Sequence, residues 1–213
     1  MSDLIEENLQ FGESYFSKLS SDFSDKTFKE EFDLIMQLLP PKAGDKILDL
    51  GCGKGRAGLF ILSKEKNCDV TFSDVSKTAG NYLSGLNFVE CSMTNTPFED
   101  NTFQKIYSLS TISHVDDIDK AVKEMYRISN GEVLITTNNK WPVYLYRILS
   151  FFKLIPKFQY DETAKKLYDV VSLRGLFERN GWKVKTIIYY GEYPSSKLRL
   201  NFLKKRLMLV AYK

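Results

Sequence analysis

Short apolar runs alternate with helical patterns along most of this chain. The first run, formed by Ile47, Leu48 and Leu50, lies between Gly44 and Gly51 and is typical of a strand buried on both faces of a parallel sheet. Further runs predict strands at 70–74, 86–89, 105–109, 133–137, 183–190 and 207–212. Because helical patterns separate the early strands, we expect an α/β domain.

Helices are predicted where apolar residues recur at three- and four-residue steps. One such pattern, from Phe28 to Leu39, stops at Pro40-Pro41, and we expect residues 1–41 to form an N-terminal helical cap. A second pattern begins after Asp116 or Asp117, either of which can cap a helix, and ends before Gly131. A third covers 172–179. Residues 42–213 then form the main domain.

A glycine-rich turn follows the first strand directly. Gly51, Gly53 and Gly55 allow positive φ and carry no Cβ, so the backbone can turn tightly and lie against a ligand before a helix starts. Residues 53–58 also match the dinucleotide fingerprint G-x-G-x-x-G, which is weak evidence alone. Asp49, two residues before the turn, would repel a phosphate and favour a ligand that carries an ammonium and a sulfonium, directly or through water.

The segment 48–55, Leu-Asp-Leu-Gly-Cys-Gly-Lys-Gly, resembles motif I of the class I S-adenosylmethionine (SAM)-dependent methyltransferases, whose pattern is hydrophobic-D-hydrophobic-G-x-G-x-G. The resemblance implies a Rossmann-like, doubly wound α/β fold with a seven-stranded sheet, mostly parallel with an antiparallel C-terminal strand, and helices on both faces. It also implies SAM as methyl donor and S-adenosylhomocysteine as product. The loop would contribute cofactor contacts from Asp49, Gly51, Cys52, Gly53 and Gly55.

Two further strand ends match positions that bind the cofactor in this family. Asp74 ends the second predicted strand, where the family's acidic residue accepts hydrogen bonds from both ribose hydroxyls, and Val75 follows it. Alternatively, Asp74 is an ordinary turn residue that contacts no ligand. Leu109 ends the fourth strand and Ser110 follows it, and because ligands bind at the carboxyl ends of parallel strands, we expect both to approach the methionine half of SAM.

The segment 90–103 is similar to the G-D-A-x-x-L-P-F-x-D-x-S-F-D stretch of ubiquinone-biosynthesis-like (type 11) methyltransferases, with Pro97, Phe98 and Phe103 in register. Ser92 stands where an aspartate usually accepts a bond from the adenine amine, and a serine hydroxyl can still accept it. The resemblance puts Met93 either against the adenine face or in the core.

Catalytic candidates are few. Residues 113–117 resemble the family's H-H-V-x-D run with Ser113 in place of the first histidine, and His114 is the only histidine in the chain. His114 could serve as a general base or pack at the start of the next helix. Tyr15, in the N-terminal region, could close over the cofactor or pack on the surface. No metal-binding constellation is evident, so we expect no metal.

The insert at about 138–169 follows the fifth strand at the edge where ligands bind in this fold. It mixes aromatic with basic residues: Trp141, Tyr144, Tyr146, Phe151, Phe152, Phe158 and Tyr160 with Lys140, Arg147, Lys153 and Lys157. Four interpretations stay open. The insert could be a lid over an aromatic or lipid-like acceptor, a membrane-surface segment through 141–158, a nucleobase platform, or a helical hairpin that touches no substrate.

Charge and cysteine content narrow the alternatives. A net charge of +3 is small for a protein that binds nucleic acid, which disfavours RNA as substrate. Three cysteines without C-x-x-C spacing suggest neither a disulfide framework nor zinc. With an acidic N-terminus and no apolar run of roughly 18 residues, we expect a soluble cytoplasmic protein.

These observations favour a SAM-dependent methyltransferase that acts by in-line displacement on a small-molecule or lipid-like acceptor. The alternatives are an RNA methyltransferase and a SAM-binding module without catalysis. The Ser92 substitution and the lack of an evident base motivate the non-catalytic alternative.

Overall fold

A computed structural model describes residues 26–154, 164–191 and 204–213. Tyr15 and the insert residues Lys157, Phe158 and Tyr160 lie outside these ranges. In chain order the helices are α1 (Lys26–Leu38), α2 (Arg56–Lys64), α3 (Lys77–Asn81), α4 (Ile118–Ile128), α5 (Lys140–Phe151) and α6 (Val170–Glu178). The strands are β1 (Lys46–Leu50), β2 (Asp69–Asp74), β3 (Phe88–Glu90), β4 (Phe103–Leu109), β5 (Ser129–Asn138), β6 (Lys183–Tyr190) and β7 (Arg206–Tyr212), and a 3₁₀ turn covers Ile112–His114.

The seven strands form one sheet in the order β3-β2-β1-β4-β5-β7-β6. The pairs among β1 to β5 are parallel, whereas β7 runs antiparallel to both β5 and β6. This is the doubly wound, mostly parallel sheet that the sequence predicts, and its C-terminal strand is antiparallel as expected. The strand order reverses beside β1, so the carboxyl ends of β1, β2 and β4 border the crevice where ligands bind in open α/β sheets.

Helices cover both faces of the sheet, which explains why β1 is apolar on both sides. Leu48 and Leu50 pack in a core cluster that includes residues of α4 and α6. Ile47 lies in the opposite cluster, with Phe32 and Ile35 of α1 and with residues of α2. The N-terminal helix is therefore part of the second core layer. Each fully buried aliphatic side chain of this kind contributes about 1.5–3 kcal/mol.

The first residues of β5 and β3 differ from the prediction for local reasons. β5 begins at Ser129, four residues early, because a bulge near Gly131 lets the strand continue toward α4. A Cβ at Gly131 would lie 2.3 Å from the Gln104 carbonyl oxygen, so only glycine allows this approach. β3 begins at Phe88 and not at Leu86, because the Leu86 N–H bonds to the Leu83 carbonyl in the preceding turn.

Side-chain caps fix the helices that border the insert. Asp117 caps α4 by accepting a bond from the Lys120 N–H, which selects it over Asp116. Asn139 caps α5, and Asp169 caps α6 in a reciprocal arrangement with Ser172. Within the described part of the chain, no helix has the length and apolar character needed to cross a bilayer.

Candidate cofactor and active site

The glycine turn bends sharply at the carboxyl end of β1. Gly51, Gly53 and Gly55 have φ values of +72°, +55° and +77°. A Cβ on Gly51 would lie 2.2 Å from Thr111 Cγ2, and the Thr111 hydroxyl donates to the Gly51 carbonyl at 3.0 Å. The turn therefore lies directly against the segment that follows β4. At Gly55 a Cβ would lie 2.4 Å from Leu83, so the absence of a side chain at Gly51 and Gly55 lets the turn pack tightly against its neighbours.

Asp49 holds the turn from inside the fold. Its buried carboxylate accepts a hydrogen bond of 2.8 Å from the Gly58 N–H, in the first turn of α2. Burial raises the pKa of Asp49 to about 7, while the Gly58 bond and Arg56 lower it. A cation bound nearby would favour the ionised form and lower this pKa. Direct contact between Asp49 and a cofactor remains a prediction.

Asp74 ties the end of β2 to the same turn. One carboxylate oxygen accepts from the Gly53 N–H at 2.8 Å, and the other accepts from the Ser76 N–H at 2.9 Å. Burial raises the pKa of Asp74, and these backbone bonds oppose the rise. Each carboxylate oxygen has a second lone-pair direction, so Asp74 can accept further bonds from a diol. The structure thus brings Asp74 and the glycine turn together.

The neighbouring predicted residues lie around this junction. Val75 is half-buried beside Asp74, and Cys52 is buried in the turn, where burial raises the pKa of its thiol. The Ser92 hydroxyl lies 3.0 Å from the Thr94 hydroxyl in the turn after β3. Met93 packs in the core cluster with Leu50, so its side chain has a packing role. Adenine contacts by Ser92 and Met93 stay predictions.

Ser110 has a backbone conformation that non-glycine residues rarely adopt. It follows β4 with a φ of +62°, and its N–H donates to the Thr136 carbonyl at 3.0 Å. Its hydroxyl accepts a bond of 2.8 Å from Arg206 Nη1. Such strain is found disproportionately at ligand sites, and Ser110 lies at the ligand-binding edge of the sheet beside half-buried Leu109.

A buried charge cluster connects Ser110 to four elements of the fold, α1, α2, β6 and β7. Glu31 of α1 is fully buried and pairs with Arg206 Nη1 at 3.2 Å and with Arg56 Nη2 at 3.4 Å. The Tyr190 hydroxyl also donates to Glu31, and burial together with Glu31 raises the pKa of Tyr190 far above its usual range. Two arginines share one carboxylate, so Glu31, Arg56 and Arg206 together carry a net positive charge next to the site.

The cluster was not predicted, although one signal for it is visible in the sequence. Glu31 lies three residues after Phe28 and four before Ile35, so this charged residue falls on the apolar stripe of α1. A charge on a buried stripe needs a partner. Arg206 begins β7 more than 170 positions later, and only the strand order brings the two together.

His114 lies in the 3₁₀ turn with a buried side chain, and its N–H donates to the Thr111 carbonyl at 2.9 Å. Ser113 beside it bonds through its hydroxyl to the Thr137 hydroxyl at 2.8 Å. The position of His114 agrees with packing at the start of α4. A role as general base is untested and stays a prediction. In the three described ranges, no group of three or more His, Cys, Asp or Glu residues could hold a metal ion.

The insert begins with α5, which leaves β5 at the ligand-binding edge. Pro142 and Val143 are buried, and the Lys140 ammonium pairs with Asp169 at 2.5 Å. The opposite side of α5 is apolar and exposed. Tyr146 is half-buried.

Comparison with known proteins identifies related sequences. Residues 47–131 match a family described as a methyltransferase domain. An uncharacterized protein of Methanocaldococcus jannaschii is 28% identical over 148 residues, which cover 67% of this chain and 62% of that protein. The ubiquinone/menaquinone biosynthesis C-methyltransferase of Rickettsia bellii is 32% identical over 117 residues, which cover 48% of this chain and 46% of the relative. The chain thus spans less than two thirds of the length of either relative.

A solved structure agrees on the fold. A SAM-dependent methyltransferase from Aquifex aeolicus superposes with a TM-score of 0.70 at 19% identity, covering 95% of this chain and 98% of that one. At this identity the similarity supports the fold alone.

Proposed function

We propose that the chain transfers a methyl group from SAM to a small-molecule or lipid-like acceptor, because residues 47–131 match a family described as a methyltransferase domain. The observation that carries this proposal is the bond between Asp74 and the Gly53 N–H. It puts a carboxylate beside a glycine turn at the carboxyl ends of adjacent parallel strands. That arrangement suits a nucleoside with a free ribose diol.

The residues around the turn fit each part of SAM. Asp74 has acceptor capacity for the ribose hydroxyls and lies against the glycine turn at 51–55. Arg206, with 20% of its side chain exposed, offers a positive charge for the methionine carboxylate. The raised pKa of Asp49 marks a carboxylate that a bound ammonium or sulfonium would stabilise in its ionised form.

Bound SAM supplies a methyl carbon on a sulfonium, which an acceptor nucleophile attacks in line while a neutral thioether leaves. The chain contributes mainly by orientation and by excluding water. Asp74 would fix the ribose, and Arg206 with Ser110 would hold the methionine end. His114 could take a proton from an acceptor if the acceptor reaches the 3₁₀ turn. No further catalytic group is needed for an activated donor of this kind.

The apolar character of α5 supports an apolar acceptor. α5 starts directly after β5, at the edge where Ser110 follows β4, and it carries several aromatic side chains. The Rickettsia bellii relative is named for ubiquinone/menaquinone biosynthesis, which agrees with a lipid-like acceptor for this chain.

Two measurements test the proposal. Calorimetric titration of the purified chain with SAM and with S-adenosylhomocysteine should show binding of both, and absence of both overturns the proposal. Transfer of a radiolabelled methyl group should then be assayed on quinols, phenols, amines and total RNA. Label in an apolar small molecule supports the proposal. Label in RNA would favour the RNA alternative, and binding without turnover on any acceptor would favour a non-catalytic module.

A further inference from the structure

The exposed side of α5 is a continuous apolar stripe. Trp141, Tyr144, Leu145, Ile148, Phe151 and Phe152 are all exposed large hydrophobic residues. At 100° per residue, these positions fall within an arc of about 120° on one side of the helix. Phe151 and Phe152 are 81% and 65% exposed, which is a large exposure for two adjacent aromatic side chains. We call these six residues the α5 stripe.

Charge along the same segment has a single sign. Residues 140–154 contain Lys140, Arg147 and Lys153 and no acidic residue. Lys140 pairs with Asp169, and Arg147 and Lys153 are exposed. By helical position, Lys140 and Arg147 border the α5 stripe, and Lys153 follows its end. An apolar face with tryptophan and phenylalanine, bordered by basic residues, is typical of helices that lie in a membrane interface.

We propose that the α5 stripe docks on an anionic lipid surface. The aromatic side chains would enter the boundary between headgroups and acyl chains, while the basic residues contact anionic headgroups. An acidic protein partner would complement the basic residues, but it would not account for two adjacent, highly exposed phenylalanines at the end of the helix. The inference rests on the proposed function in one respect: docking would bring a lipid-like acceptor to the edge of the sheet that carries the site.

Tryptophan fluorescence offers a direct test, because the chain has two tryptophans with opposite surroundings. Trp141 on the stripe is 46% exposed, whereas Trp182 is 2% exposed in the core. The full chain is mixed with phosphatidylcholine vesicles, with or without one third phosphatidylglycerol. We expect a blue shift and quenching by brominated acyl chains on the anionic vesicles only. Trp141→Phe should abolish the spectral change while sedimentation with vesicles persists.

Matched variants test which surface binds. Phe151→Ser/Phe152→Ser should reduce sedimentation with anionic vesicles by about tenfold or more, because two large apolar groups are removed from the contact. Leu59→Ser/Leu86→Ser, which changes two exposed apolar residues elsewhere, should bind vesicles like the wild type. Both variants should keep the wild-type melting temperature within a few degrees and the wild-type affinity for S-adenosylhomocysteine.

The proposal is overturned if wild-type protein does not sediment with anionic vesicles. It is also overturned if both double variants lose binding equally, or if Trp141 keeps its solvent-exposed emission on the vesicles. A different result would refute the proposed function: wild-type protein that does not bind S-adenosylhomocysteine when no vesicles are present.

Discussion

Substitution of Asp74 by alanine is the perturbation that most clearly separates cofactor binding from loop structure. Asp74 accepts bonds from the Gly53 and Ser76 N–H groups and, in our proposal, from the ribose of SAM. Loss of charged hydrogen bonds to the ribose should weaken binding by about 1.5–3 kcal/mol. That range corresponds to an affinity about 10- to 150-fold lower. The two backbone donors also lose their acceptor, which costs stability of the turn.

A ligand cycle distinguishes these two effects. Calorimetry is performed on wild type and Asp74→Ala with S-adenosylhomocysteine and with its analogue that lacks both ribose hydroxyls. The wild type should bind the analogue about 10- to 150-fold more weakly than S-adenosylhomocysteine. Asp74→Ala should bind the two ligands with equal affinity, because its contact with the ribose is already absent. Asp69→Ala, at the exposed amino end of the same strand, is the matched control and should bind like the wild type.

The reasoning fails if Asp74→Ala binds S-adenosylhomocysteine within about twofold of the wild type. It fails equally if the variant still discriminates against the deoxy analogue, because the diol would then be recognised elsewhere.

Three further predictions concern stability. Gly51→Ala should lower the free energy of unfolding by more than the roughly 1–2 kcal/mol expected for an alanine at positive φ, because its Cβ would also collide with Thr111. Gly44→Ala should show the φ cost alone, because Gly44 has a φ of +83° and a Cβ there would have no atom within 4 Å. Equal losses for the two variants in urea unfolding would contradict the collision with Thr111. Glu31→Gln should cost about 3 kcal/mol in urea unfolding, because two largely buried arginines lose their carboxylate, and a loss below about 1 kcal/mol would argue against the cluster. Asp49 keeps its proton in the folded state up to about pH 7 but loses it near pH 4 when unfolded, so it contributes stability below pH 4 that is lost as pH rises toward 7. Asp49→Asn should flatten that fall in a series of melting curves, and an unchanged slope would show that Asp49 ionises normally.

Local patterns in the sequence predicted most of the framework. The run at Ile47 to Leu50 and the glycines after it carry both a strand signal and a turn signal, and the structure places them at the centre of the sheet. The family resemblance at the end of the second strand predicted Asp74 as a ribose-binding residue; the structure places it against the turn, and its role stays a prediction. These features depend on neighbours close in sequence, which is why the pattern was sufficient.

Features that depend on distant contacts escaped prediction. The pairing of Glu31 with Arg206 requires α1 and β7 to meet, which the order of strands decides and composition does not. Likewise, the strained φ of Ser110 follows from its bonds to Thr136 and Arg206, and a serine gives no local signal for a left-handed backbone. The sequence also did not predict which side of α5 faces solvent, because α5 is apolar on both its buried and its exposed sides.

A crystal structure of the complex with S-adenosylhomocysteine tests the central claim most directly. The account predicts ribose hydroxyls within hydrogen-bond distance of the Asp74 carboxylate, the nucleoside beside the glycine turn at 51–55, and the methionine carboxylate facing Arg206. A ligand bound away from this turn, or a nicotinamide dinucleotide that occupies the turn in preference to it, would contradict the account.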